Sequence, residues 1–180
     1  MAWSAPMTAV ANSTFTAAQF NQFVRDNLNE TAPALATSAG SYFATDGVNS
    51  IAERTPNTEG IFTSETTTST TFADLASVGP SVTVDTGPHA LVLTHAQVAN
   101  SGAGSAYAGV EVSGATSIAP GLNRAINIFN AAGVRVGAGT AVLYAGGLLL
   151  TPGSNTFTMK YRVSSGTGTF ADRRIIVMPL

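Results

Sequence analysis

Two imidazoles are the strongest chemical candidates in this chain. His89 and His95 bracket the apolar run Ala90-Leu91-Val92-Leu93-Thr94. In a regular strand both project from one face, about 20 Å apart at ~3.3 Å per residue, too far to hold one metal within a chain. A metal on a threefold axis, with one imidazole from each subunit, stays open; the plainer role is that of polar ends on a buried strand. A hydrolytic triad needs a nucleophile, a base and an orienter. No Gly-x-Ser-x-Gly elbow occurs, and the nearest run, Gly102-Ala103-Gly104-Ser105-Ala106, reads as a turn of small residues. Glu53, Glu59, Glu65, Asp74, Asp85 and Glu111 stand isolated, several beside turns, and offer no paired carboxylates for glycosidase chemistry. The chain has no cysteine, which excludes disulfides and thiolate chemistry. No calcium loop, phosphate loop or dinucleotide fingerprint is present. No catalytic residue, cofactor or metal is expected.

The charged residues are few and unevenly placed. They make up 10% of the chain, against roughly 25% in an average soluble domain. Asp172 is the single acid after residue 111, whereas Arg124, Arg135, Lys160, Arg162, Arg173 and Arg174 all lie there. Either strands of the two halves interleave and mix these charges, or oppositely charged faces meet between subunits. Lys160, Arg162, Arg173 and Arg174 form the local basic cluster if their strands are hairpin partners. That cluster is a solvated, paired face or a dock for an acidic partner. A net charge of −2 gives no field for nucleic acid, so none is expected as a partner. A surface this poor in charge is instead expected to be covered in the working state, because scattered charge is what keeps monomers apart.

Three zones must position these residues. In residues 1–36, Thr16 and Gln19 fit a capping box. Phe20, Phe23, Val24 and Leu28 recur at helical spacing behind it, and Pro33 is expected to stop the helix. About fifteen helical residues are marginal alone in water, so the stripe must pack on the main domain, on sister helices or on a host surface. Phe15, Phe20, Phe23, Val24, Arg25 and Leu28 are therefore the expected anchor. Residues 37–60 are a turn-rich connector or short stalk, with Asp46-Gly47 as a hairpin signal. Residues 61–180 predict strands at 61–66, 70–75, 80–86, 89–98, 105–113, 123–130, 134–144, 155–164 and 169–178, separated by Gly- and Pro-rich turns. The fold class expected is mainly β: an antiparallel, jelly-roll-like β-sandwich with a short N-terminal helix and a connector. No apolar run approaches the roughly 18 residues of a membrane span, and no membrane partner is expected. The first residues, Met1-Ala2-Trp3-Ser4-Ala5-Pro6, lack the pattern of a signal peptide, so a cytosol-like compartment or export inside a particle is expected.

Thr14-Phe15-Thr16-Ala17-Ala18-Gln19-Phe20-Asn21 followed by Val24-Arg25-Asp26-Asn27-Leu28 resembles the N-terminal segment of structural proteins of tailed phages that infect actinobacteria. Gly47 to Arg54, and the runs Asn155 to Thr158, Lys160 to Val163 and Gly168 to Ala171, are similar to the same group. The resemblance covers about a third of the chain. It implies a virion component without catalytic residues, made in the host cytoplasm. Such components are commonly homotrimers with an N-terminal anchor and an outward β domain. Fibre proteins of the tail carry long stalk repeats, which this short connector lacks. The expected role is therefore capsid decoration or a short head fibre, bound to the major capsid protein or another virion protein. A minor tail or receptor-binding protein is the second expectation, and a cellular β-sandwich adhesion module a third.

Overall fold

The computed structural model describes residues 4–129 and 133–180. The chain divides into two compact units, one up to Thr55 and one from Pro56 to Leu180.

In the first unit the helix starts where the sequence places it. The Thr16 hydroxyl accepts from the Gln19 N–H, and the Gln19 side-chain oxygen accepts from the Thr16 N–H at 2.9 Å. Helix α1 (Ala17–Phe20) then runs into a π-helical turn (Asn21–Arg25) and on into α2 (Asp26–Asn29). Pro33 does not end the helical path. It sits inside a further short helix, α3 (Ala32–Leu35), where a missing first-turn N–H costs nothing. Strands β1 (Tyr42–Gly47) and β2 (Ser50–Arg54) form an antiparallel hairpin. Its tip lies two residues beyond the Asp-Gly signal, at Val48-Asn49, where Asn49 takes φ 56°. Asp46-Gly47 instead holds an irregularity of register. The Glu53 carboxylate accepts from the N–H groups of Thr37 and Ser38 and from the Thr37 hydroxyl, tying the preceding segment to the hairpin. Those hydrogen bonds hold the Glu53 carboxyl below the usual range.

The second unit is an antiparallel β-sandwich. One sheet has the order β5 (Ser81–Thr86), β10 (Gly153–Val163), β7 (Ser105–Gly114), β8 (Ile126–Phe129). The other runs β3 (Asn57–Ile61), β11 (Gly168–Pro179), β6 (Ala90–Asn100), β9 (Val136–Tyr144), with β4 (Glu65–Thr67) also on β11. Strands β3 and β4 pair with successive parts of the same edge of β11 and act as one interrupted strand. Counting them as one, the sheets run 1-8-3-6 and 2-7-4-5, which is the jelly-roll connection. The expected fold class is the observed one.

Period-two alternation builds the core. Val82, Val110, Val112, Phe157, Met159 and Tyr161 from the first sheet meet Val92, Val98, Tyr144, Phe170, Ile175 and Val177 from the second. Tyr144 packs edge-on against Phe157 at 5.6 Å between ring centres. Gly79 is needed for close approach, because a Cβ there would lie 2.2 Å from the Met159 carbonyl oxygen.

Several boundaries differ from expectation. Asn57–Ile61, placed mostly in the connector, is a sandwich strand, because its backbone pairs with Arg173–Val177. Residues 70–75 are not a strand; Ala73 makes a single bridge to Tyr161. Leu122–Arg124 is a 3-10 turn, so β8 starts at Ile126, and residue 130 of the expected strand lies outside the described residues. Among the described residues no helix is long and apolar enough to cross a membrane.

Candidate assembly site

The N-terminal helical segment carries the expected anchor residues. Phe15, Phe20 and Leu28 are 52%, 48% and 60% exposed, and Phe15 stacks edge-on against Phe20 at 6.2 Å. Phe23 and Val24 are half-buried, and Arg25 is exposed and paired with its neighbour Asp26 at 2.8 Å. Among the described residues of the helical segment, Asn27 is the buried one. Its side chain accepts from the Ser4 N–H at 2.9 Å and donates to the Ser4 carbonyl at 3.0 Å, clamping the arm to the helix. Asn27 lies seven residues after Phe20, on the apolar stripe. A polar residue at that place was the available signal, and the pattern of apolar positions passed over it.

The four basic residues do not form one cluster. Strands β10 and β11 are consecutive in the chain, yet they lie in opposite sheets, so they are not hairpin partners. Lys160 and Arg162 occupy the outer side of β10, and Arg174 the outer side of β11, with its guanidinium 4.8 Å from the Phe62 ring centre. Arg173 is fully buried. It donates to the Thr63 carbonyl at 3.3 Å, pairs with Glu65 at 3.5 Å and lies 5.5 Å from the Tyr161 ring centre. Its Nε and Nη1 have no hydrogen-bond partner among the described residues. The reason is local. Asp172 takes φ 46° at a bulge opposite the break between β3 and β4, and beyond it Arg173 falls in phase with the inward residues Ile175 and Val177. Counting back by twos from those valines and isoleucines places Arg173 inside, so this position was legible.

Around Lys160 the fold creates what no sequence spacing announces. Its ammonium lies 2.8 Å from Asp74 and 3.3 Å from Glu111, in an open pocket of about 540 Å³ also lined by Phe72 and Pro120. Burial opposes the lysine charge, but the hydrogen bonds to both carboxylates outweigh it and raise its pKa. The Arg162 guanidinium alongside lies 5.8 Å from the Phe72 ring centre and 5.5 Å from the Tyr107 ring centre. Two acids read as isolated therefore share one cation. Bases of the second half meet acids of the first within one chain here and at Arg173–Glu65, the mixed arrangement of the two considered.

The histidines stay apart in role. The His95 ring lies 3.2 Å from the Asp172 carbonyl, and the His89 carbonyl accepts from the Leu180 N–H. Among the described residues no three His, Cys, Asp or Glu side chains gather in a group able to hold a metal.

No protein-family model matches the chain, and no curated protein does. Among solved structures, the infectious bursal disease virus VP2 subviral particle is similar, with TM-score 0.46 and 10% identity, over 72% of this chain and 34% of that one. A structure of the Gx strain of the same virus gives 0.35 and 11% identity, over 71% and 38%. An exo-beta-1,3-galactanase from Phanerochaete chrysosporium gives 0.31 and 16% identity, over 71% and 30%. This chain thus spans about a third of the length of each. Likeness at this level assigns no function.

The outer sides of the two sheets differ in chemistry. On the β5-β10-β7-β8 sheet the outer side of β5 and β10 is polar: Thr83 bonds Thr156 across strands at 2.8 Å, and Ser81 bonds Thr158 at 2.8 Å, with Lys160 and Arg162 beyond. Phe129 at the β8 edge is an exposed aromatic on the same side. On the other sheet, Ile176, Leu93 and Ala141 are register partners in one row, and Met178, Leu91 and Leu143 in the next.

Proposed function

We propose that this chain is a non-enzymatic structural protein of a phage particle, a capsid decoration or short head-fibre protein. It binds the particle surface through its N-terminal segment and displays the jelly-roll sandwich. The observation that carries this reading is the helical segment whose Phe15, Phe20 and Leu28 side chains are exposed. Aromatic area of that kind on so short a helix is stable in water only when something covers it. The resemblance of Thr14 to Leu28 to phage structural proteins supplies the kind of surface, and copies of this chain together with a capsid protein are the partners. The second reading, a minor tail or receptor-binding protein, draws on the polar pocket of Asp74, Glu111 and Lys160.

The test uses particles made without the protein. Purified full-length chain is expected to bind them, and the Phe20→Ala/Phe23→Ala variant is expected to lose most of that binding while keeping its fold. Antibody label over the head, with normal adsorption to cells by the depleted particles, supports decoration. Label at the tail tip with lost adsorption establishes the second reading, and no binding to either rejects both.

A further inference from the structure

We propose that the outer face of the β3-β11-β6-β9 sheet is where copies of this chain meet, one copy's face lying against the same face of a second copy. Strand register sets Ile176 beside Leu93 and Ala141, and Met178 beside Leu91 and Leu143. These six side chains point away from the sandwich core, since Val92, Val142, Ile175 and Val177 between them point inward. Leu143 and Ile176 are 55% and 39% exposed. His95, Gln97 and Arg174 gather toward one end of this face, and Thr58, the register partner of Ile176 on β3, borders the apolar rows.

Charge decides in favour of a second copy as the occupant. Around a rotation axis the same residues of each copy face one another, so a charged patch repels itself and an uncharged one does not. The two apolar rows hold no Asp, Glu, Lys or Arg. The ion-paired group of Lys160, Asp74 and Glu111 lies on the opposite side of the sandwich, and Arg174, which is on this face, lies outside the two apolar rows.

The size is also right. Four strands about 4.8 Å apart and about 30 Å long cover on the order of 600 Å² before side-chain relief is added. A stable interface hides about 800 Å² per partner. An apolar centre with a polar end is the usual anatomy of such contacts.

This inference rests on the chain acting as an assembly of copies, and it is tested on purified protein, where the particle plays no part. Sedimentation equilibrium of the full chain is expected to give a multiple of 18.3 kDa. The Leu93→Glu/Ile176→Glu variant is expected to give a folded monomer, and Thr83→Glu, on the other sheet, to keep the oligomer. Because the chain has no cysteine, Leu143→Cys and Thr83→Cys provide a second measure that disturbs little. The thiol at 143 is expected to react with a maleimide at least tenfold more slowly than the thiol at 83. A monomeric wild type, an oligomer that survives Leu93→Glu/Ile176→Glu, or equal thiol rates would overturn the proposal. Loss of the oligomer in Phe20→Ala/Phe23→Ala alone would also overturn it, by moving the contact to the helix. The particle reading fails separately, through absence of label on particles.

Discussion

At the scale of single residues, the buried arginine is the sharpest energetic feature. Arg173 lies in the core with Glu65 as its counter-charge and two donor atoms without a partner among the described residues. Burial pushes the Tyr161 phenol pKa up beside it. Breaking a buried ion pair from one side strands the other charge, which typically costs about 3–5 kcal/mol, whereas apolar replacement of both partners together is often neutral. Glu65→Gln leaves the fully buried guanidinium without a counter-charge and is expected to cost about 3 kcal/mol. Arg173→Met leaves a carboxylate that is partly exposed and keeps the Ser77 N–H, and is expected to cost less. Chemical denaturation of the two variants gives the order; the reverse order would mean that the guanidinium packs better than its bonds imply. The Glu65 carboxyl is held below its usual range, first by the Ser77 N–H and then by Arg173. A depressed carboxyl stabilises the fold above its unfolded pKa of about 4.3 and loses that contribution as pH falls through the lower folded value. The melting temperature of the wild type is thus expected to fall more steeply below about pH 4.5 than that of Glu65→Gln.

At the scale of elements, the N-terminal helix depends on its cap. The capping box satisfies one N–H by the Thr16 hydroxyl and returns the Gln19 side chain to the Thr16 N–H. Loss of such a cap costs about 1 kcal/mol. Thr16→Ala is expected to speed hydrogen exchange of the amides that follow it about fivefold, with the exchange of β6, β10 and β11 amides unchanged. Equal protection in both proteins would show that the segment is held by its packing and not by its cap. Both box partners and the apolar spacing were legible in the sequence, because capping and helical periodicity act over a few residues. The π-helical turn and the Ser4–Asn27 clamp were not, since each depends on where the arm returns.

At the scale of the whole molecule, the division at Thr55/Pro56 predicts an autonomous sandwich. The jelly roll closes its strand order within residues 57–179. A chain starting at Pro56 is expected to unfold in one cooperative transition, followed by circular dichroism and fluorescence together. A chain starting at residue 62 lacks β3 and leaves the Arg173–Val177 edge of β11 unpaired. It is expected to melt lower or aggregate, as unpaired edges do. Equal stability of the two would return the boundary to residue 60.

The amino-acid sequence by itself determined the class of the fold, the position of the helix start and the approximate place of most strands. Turn residues and period-two alternation are local, and each is written in a handful of neighbouring positions. Tertiary structure alone decided which strands share a sheet. Consecutive β10 and β11 part company because the jelly-roll connection sends them to opposite layers. That separation distributes Lys160, Arg162, Arg173 and Arg174 among a pocket, an aromatic stack, the core and the far face. It also brings Asp74 and Glu111 to one lysine across 86 and 49 residues of chain. Contacts between residues so far apart are fixed by how layers stack and in what register, and no local pattern carries that information.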